Sequence, residues 1–144
     1  MLVSHILQSK ADESVVTVLP STTIAQAAQM LSERRIGTLI ISRDGRAADG
    51  IISERDIVRQ LGLAGAACLN DPVTEIMTAK LVTCTRDMRA DGVLEQMTEG
   101  RFRHMPVLEE GALVGLISLG DVVKARLMEL AMEKDALEGM IRGH

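Results

Sequence analysis

A chain of 144 residues, 47% hydrophobic and 25% charged, is long enough for one compact domain or for two half-domains sharing a core. Phe102 is its single Phe/Tyr/Trp-type ring and its net charge is −4, so both the stacking platforms and the basic face that a nucleic-acid partner needs are missing. No apolar run approaches the roughly 20 residues that span a bilayer. The opening Met1-Leu2-Val3-Ser4-His5 lacks the basic start of an export signal. Cys68 and Cys84 form no ligand motif, and they read as two core thiols or as one exposed and one buried. The expectation is a cytoplasmic protein without disulfides, with neither nucleic acid nor membrane as partner.

The first short apolar element covers residues 3–7, and residues 15–18 are β-branched enough to read as a strand. Pro20-Ser21-Thr22-Thr23 then turns into a helix, with Ser21 or Thr22 as N-cap. Ile24, Ala27, Ala28 and Leu31 follow at i, i+3, i+4 and i+7, one apolar stripe. Gly37 ends that helix, and residues 38–41 form a buried strand. Asp44-Gly45 marks a turn, residues 50–53 a further strand, and a helix starts at Glu54. Residues 62–72 read as a linker, with Asp71-Pro72 opening another short helix.

The same order then returns. Val82-Thr83 reads as a strand, Asp87 as the N-cap of a helix with Val93, Leu94 and Met97 as its stripe. Gly92 inside that helix costs about 1 kcal/mol relative to alanine. Glu109-Glu110-Gly111 joins strands at 105–108 and 113–117 as a hairpin. The last helix carries Val122, Val123, Leu127, Leu130, Ala131, Leu137, Met140 and Ile141 on one stripe. A helix that long on a small domain packs either against a second copy of the chain or back on its own domain.

The repetition is literal. Gly50-Ile51-Ile52-Ser53-Glu54-Arg55-Asp56-Ile57-Val58 returns as Gly115-Leu116-Ile117-Ser118-Leu119-Gly120-Asp121-Val122-Val123, with serine and aspartate both displaced by 65. Val16-Thr17 matches Val82-Thr83 at an offset of 66, and residues 3–7 match 73–77 at 70. Four extra residues therefore sit around Ala11-Asp12-Glu13-Ser14 in the first copy. A repeat of this kind ordinarily cannot bury its apolar face alone.

Two copies of strand-helix-strand-strand-helix, each ending in an apolar strand, Ser-x-x-Asp and an apolar pair, resemble a tandem pair of CBS domains (a Bateman module). Residues 51–58 and the segment Arg101-Phe102-Arg103-His104-Met105-Pro106-Val107 are similar to the small stand-alone bacterial members. The resemblance runs from about Val3 to Ala131. It implies an α/β (α+β) fold of two β-α-β-β-α repeats related by a pseudo-twofold axis, with their sheets packed together and helices outside. Repeat one with its linker would span 1–70, and repeat two with its extended helix 71–144. It also implies two clefts binding adenosine-containing ligands, and a sensor rather than a catalyst.

The residues suit that ligand. Asp56 and Asp121, at helix starts, can accept both hydroxyls of a ribose through charge-assisted bonds. Ser53 and Ser118, three residues earlier, stand where a hydroxyl and helical N–H groups meet a phosphate. The alternative is plain N-capping, since Ser-x-x-Asp is close to a capping box. The opposite walls are Ile36-Gly37-Thr38-Leu39 and Phe102-Arg103-His104-Met105-Pro106, whose amides can meet the adenine edge while Ile36, Leu39 or Met105 covers its face. Thr17 and Thr83 fall where the family lines the base pocket; a strand-forming residue is the equal alternative. Candidate cations for phosphate are Arg35, Arg55, Arg101, Arg103 and Lys124. Arg55 has Gly120 as its equivalent, so the two sites are chemically unequal, and His104 would make phosphate affinity in the second depend on pH. Met88, where the family favours a small hydroxyl residue, and Gly92 set the second copy apart.

Nothing supports an enzyme. His5, His104 and His144 have no nucleophile partner, no phosphate-cradling glycine loop is present, and no Cys/His cluster forms a metal site. No cofactor is required; an adenine nucleotide enters as a regulatory ligand. The expected partners are that small molecule, a second copy of the chain, and a regulated protein that the sequence does not name. The rival is a structural module for dimerisation or partner binding, with empty sites.

Overall fold

The computed structural model describes residues 1–10 and 15–142, so the four-residue insertion at 11–14 lies outside the described residues. The first half runs α1 (Val3–Ser9), β1 (Thr17–Val18), α2 (Ile24–Arg34), β2 (Thr38–Ile41), β3 (Gly50–Ser53) and α3 (Glu54–Ala64). Two 3₁₀ turns follow, Ala66–Asn70 and Val73–Glu75, then α4 (Ala90–Gly100), β4 (His104–Glu109), β5 (Ala112–Ser118) and α5 (Leu119–Ile141). The fold is mixed α+β with small sheets and a long last helix. Among the described residues no helix is long and apolar enough to cross a membrane.

These elements form two compact units that interleave along the chain. A first-repeat unit takes residues 15–82 with Glu109–Val114, and a second-repeat unit takes α1, Thr83–Leu108 and the chain from Gly115 onward.

In the first-repeat unit β2 lies between β1, parallel to it, and β3, antiparallel. Every residue of β2 is buried, which is why it reads as an unbroken apolar run rather than an alternation. Ile24, Ala27 and Leu31 of α2 close over it with Val18, Leu39, Ile41, Ile52, Ile57 and Val73. The N-cap of α2 is Thr23 rather than Ser21 or Thr22. Its hydroxyl accepts from the Gln26 N–H, and the Gln26 side chain accepts from the Thr23 N–H. Only Thr23 has a glutamine three residues on, which the reciprocal box requires. The helix also stops earlier than Gly37, at Arg35 in the left-handed region (φ 54°). The expected linker is structured: α3 ends at Gly65 and the first 3₁₀ turn buries Cys68. The short helix expected after Asp71-Pro72 is a second 3₁₀ turn.

In the second-repeat unit the strand expected at Val82-Thr83 contracts to a single bridge, Cys84 parallel to Val107. Its bonds, Cys84 N–H to Pro106 O at 3.0 Å and Leu108 N–H to Cys84 O at 2.8 Å, repeat those of β1 with β2. The N-cap of α4 is Arg89, not Asp87, and it makes no side-chain cap. Arg89 stands at the repeat equivalent of Thr23, and a guanidinium has no acceptor to offer; Asp87 instead takes the Thr85 hydroxyl. Gly92 falls in the first turn of α4 with open space where a Cβ would stand. Gly92→Ala should therefore raise stability by about 0.5–1 kcal/mol, read as a higher urea midpoint with an unchanged slope. The hairpin turn is Glu110-Gly111, both at positive φ (51° and 78°), as a two-residue hairpin requires.

The lead-in segments are exchanged. Ala90 N–H bonds Met1 O at 2.9 Å and Val3 N–H bonds Met88 O at 2.8 Å, so α1 joins the second-repeat unit. Ile24 N–H to Asp71 O (2.9 Å) and Val73 N–H to Thr22 O (2.8 Å) do the same for the opening segment of repeat two, in the first-repeat unit. The glycine that opens each repeated motif belongs to this packing. A Cβ on Gly115 would come within 2.7 Å of a Leu7 methyl, and one on Gly50 would collide with the Met77 sulfur.

Along α5, which packs against α4 and α1, only Val122 and Ala125 are buried. Leu127 is 62% exposed, Leu137 60% and Met140 75%. From Leu127 onward the stripe is not folded back on its own unit.

Candidate functional site

Each repeat folds its Ser-x-x-Asp into a strand-to-helix junction. Ser53 caps α3 and Ser118 caps α5, each accepting from the N–H of its aspartate at 3.3 and 3.1 Å. The aspartates answer through Oδ2, which accepts from the Ser53 N–H at 2.8 Å and the Ser118 N–H at 2.9 Å. The capping function is therefore real in both copies. It occupies one carboxylate oxygen of each pair.

The opposite wall is tied to the same junction. Glu54 N–H donates to Gly37 O at 3.0 Å, and Leu119 N–H donates to Arg103 O at 2.7 Å. Thr38 faces Ser53 directly across β2 and β3. One half-site thus gathers Gly37, Thr38, Ser53 and Asp56; the other gathers Arg103, His104, Ser118 and Asp121. Thr17 sits on β1 beside Ile40, half-buried, and Thr83 is half-buried next to the Cys84 bridge. Leu39 and Met105 are wholly buried, so their side chains serve the core, as does Pro106, also buried. Ile36 is half-buried, at the edge of the first core.

Arg35, Arg55, Arg101, Arg103 and Lys124 are all exposed, and Asp56 has Arg59 at 3.7 Å as an ion-pair partner. In the second half-site a residue absent from the sequence reading enters. Lys10, at the end of α1, bonds Leu116 O at 2.8 Å and Asp121 Oδ2 at 3.0 Å. The offset of 70 aligns Lys10 with Lys80, which is exposed. Finding Lys10 from sequence required knowing that α1 is exchanged onto repeat two.

These charges set the titration of the site. Burial raises the Asp121 carboxyl, but the Ser118 amide and the Lys10 ammonium outweigh it and hold the group below its ordinary value of 3.8. Burial lowers His104 from 6.5, helped by Lys10 and Arg103 and opposed by Asp121. The lowered value leaves the ring neutral at neutral pH and moves its charge change to more acidic pH than that of a free histidine. Because the folded value is depressed, the associated stability is complete above the unfolded value near 6.5 and is lost as pH falls toward the folded one. A ring titration followed by NMR should give His104 a midpoint below that of a free histidine, and His104→Gln should flatten the stability loss between pH 7 and 5. A midpoint at or above 6.5 contradicts this assignment.

Both cysteines are free and buried, and burial pushes the Cys84 thiol up to about 12, which makes it unreactive. Among the described residues no group of three or more His, Cys, Asp or Glu side chains is placed to hold a metal ion.

Comparison with known proteins identifies the family of the fold. The chain is 42% identical to the CBS-domain containing protein ATU1752 from Agrobacterium tumefaciens, over 88% of this chain and 99% of that one, with a TM-score of 0.82. It is similar to the CBS domain protein PAE2072 from Pyrobaculum aerophilum, solved in complex with AMP: 26% identity, 92% and 99% coverage, TM-score 0.76. It is also similar to the CBS domain pair of MJ0100, solved with 5′-methylthioadenosine and S-adenosyl-L-methionine, at 25% identity, 90% and 98% coverage and TM-score 0.75. The CBS domain model matches twice, over residues 3–63 and 73–128, so the chain belongs to the CBS domain family as a tandem pair.

Proposed function

We propose that this CBS pair is a non-catalytic regulatory module that binds an adenosine-containing ligand at the Ser-x-x-Asp half-sites. AMP, ADP and ATP are the first candidates, with NAD(H) and S-adenosylmethionine in the same class. The observation that carries this reading is the division of labour in each aspartate. Oδ2 of Asp56 and of Asp121 serves the helix cap, which leaves Oδ1, held in Asp56 only by the loose Arg59 contact at 3.7 Å, to accept from a ribose hydroxyl. Two structural relatives crystallised with different adenosine compounds support the class, since AMP and S-adenosylmethionine share little besides the nucleoside. The nucleotide is itself the regulatory ligand, and no further cofactor is required.

The output runs through α5. Its exposed Leu127, Leu130, Leu137 and Met140 suit a homodimer, and a ligand regulates only by binding two arrangements of that dimer, or of a partner complex, with different affinity. A monomer by analytical ultracentrifugation at micromolar concentration would remove the dimer from this account.

The test is thermal unfolding with each of the five ligands, followed by far-ultraviolet circular dichroism because the chain has no Trp or Tyr. Ligand at 100 times its dissociation constant adds about 2.7 kcal/mol to stability. No shift with any of them favours the second reading, a structural dimerisation or partner-binding module. The complete capping boxes at Ser53 and Ser118 are the observation on that side.

A further inference from the structure

We infer that Lys10 is a ligand-binding residue of the second half-site, forming with Asp121 a donor–acceptor clamp for the vicinal diol of a nucleoside. This rests on the adenosine-ligand reading and adds to it a residue and a chemical preference. Lys10 Nζ is anchored twice, to Leu116 O at 2.8 Å and to Asp121 Oδ2 at 3.0 Å. The pair is only partly covered, with side chains 27% and 26% exposed.

An ammonium has three N–H donors, and these two bonds use two of them. Asp121 Oδ2 is committed to Lys10 and to the Ser118 N–H, while Oδ1 is left as an acceptor. Among the described residues the unit therefore presents one free donor beside one free acceptor. A hydroxyl both donates and accepts, and a 2′,3′-diol offers two such groups side by side. One hydroxyl donates to Asp121 Oδ1 while its neighbour accepts from Lys10. Both bonds are charge-assisted and so stronger than neutral ones.

The first half-site lacks this arrangement. Asp56 Oδ2 accepts from the Ser53 N–H and hydroxyl at 2.8 and 3.0 Å. Its nearby cation is Arg59, at 3.7 Å and 70% exposed. Lys80, the repeat equivalent of Lys10, is exposed on the loop after the second 3₁₀ turn. The diol requirement is accordingly a property of the second half-site.

The test is isothermal titration of AMP and of 2′,3′-dideoxy-AMP into the Asp56→Ala protein, which isolates the second half-site, with and without Lys10→Met. Methionine keeps the length of the stem and removes the donors; unfolding midpoints confirm that each variant is folded, and Lys10→Leu, which also lacks a donor, serves if Lys10→Met is not. With Lys10 present AMP should bind at least tenfold more tightly than the dideoxy nucleotide. Lys10→Met should weaken AMP about tenfold, the loss of one charge-assisted bond, and leave the dideoxy nucleotide unchanged; Lys10→Arg, which keeps a donor, should lose less. Unchanged AMP affinity in Lys10→Met, or an equal loss for both nucleotides, overturns the clamp while leaving the adenosine reading intact. Failure of the unsubstituted protein to bind AMP or any of the other four adenosine ligands overturns both.

Discussion

Ile6→Ala should lower stability by about 2–5 kcal/mol, out of a total that for a domain of this size is about 5–15 kcal/mol. The isolated segments 1–70 and 71–144 should each fail to fold cooperatively. Both expectations follow from the exchanged lead-ins. Val3, Ile6 and Leu7 are 0%, 2% and 8% exposed, and they are buried in the second-repeat unit although they open repeat one in the chain. Segment 71–144 lacks them and loses the Met1 bond to Ala90 of α4 and the Val3 bond to Met88 just before it. Segment 1–70 lacks Val73, Ile76 and Met77, which complete the first core, together with the Asp71 bond to Ile24 of α2 and the Val73 bond to Thr22 just before it. Urea unfolding followed by circular dichroism reads all three proteins. A cooperative transition in 71–144 at the midpoint of the whole chain would show that α1 contributes nothing to that unit.

The sequence made the symmetric part of this molecule readable and hid what joins its pieces. Glycine, serine and aspartate recur at a fixed offset because each is needed at one backbone place: Gly50 and Gly115 for close approach, Ser53 and Ser118 as caps, Asp56 and Asp121 as their reciprocal partners. The β2 strand was visible as an apolar run because it is buried on both faces. The helix ends were misread where two chemistries compete. Gly37 looks like the stop for α2, yet Arg35 takes the left-handed position, and Arg101 does so again after α4. Asp87 looks like a cap, yet it closes on Thr85 one turn early and leaves Arg89 at the helix start. The first strand of repeat two shrank to a bridge, because only Cys84 there takes up the parallel pairing. Lys10 was out of reach for a different reason. Its role depends on Asp121, 111 positions away in the chain, and no local periodicity encodes a contact of that span.

Asp56→Ala and Asp121→Ala, measured separately, should each cost one half-site about ten- to a hundredfold in affinity for its nucleotide, the value of a hydrogen bond to a charged acceptor. Two effects are mixed in such a substitution, and they can be separated. Alanine removes the ribose acceptor and also breaks the reciprocal cap, which by itself costs about 1 kcal/mol of stability. Ser53→Ala and Ser118→Ala disturb the cap while keeping the carboxylate, so they should lower the unfolding midpoint with a much smaller effect on affinity. The two aspartates should also differ in stability. Asp121→Ala strands Lys10 and forfeits an ion pair worth about 0.5–1 kcal/mol when partly exposed, whereas Asp56 has only the loose Arg59 contact at 3.7 Å to lose. Calorimetric stoichiometry then assigns the sites: if both are occupied, each alanine variant removes one of two binding events and leaves the other. Unchanged affinity and stoichiometry in both variants would mean that the aspartates act only as helix caps, and the structural-module reading would take precedence.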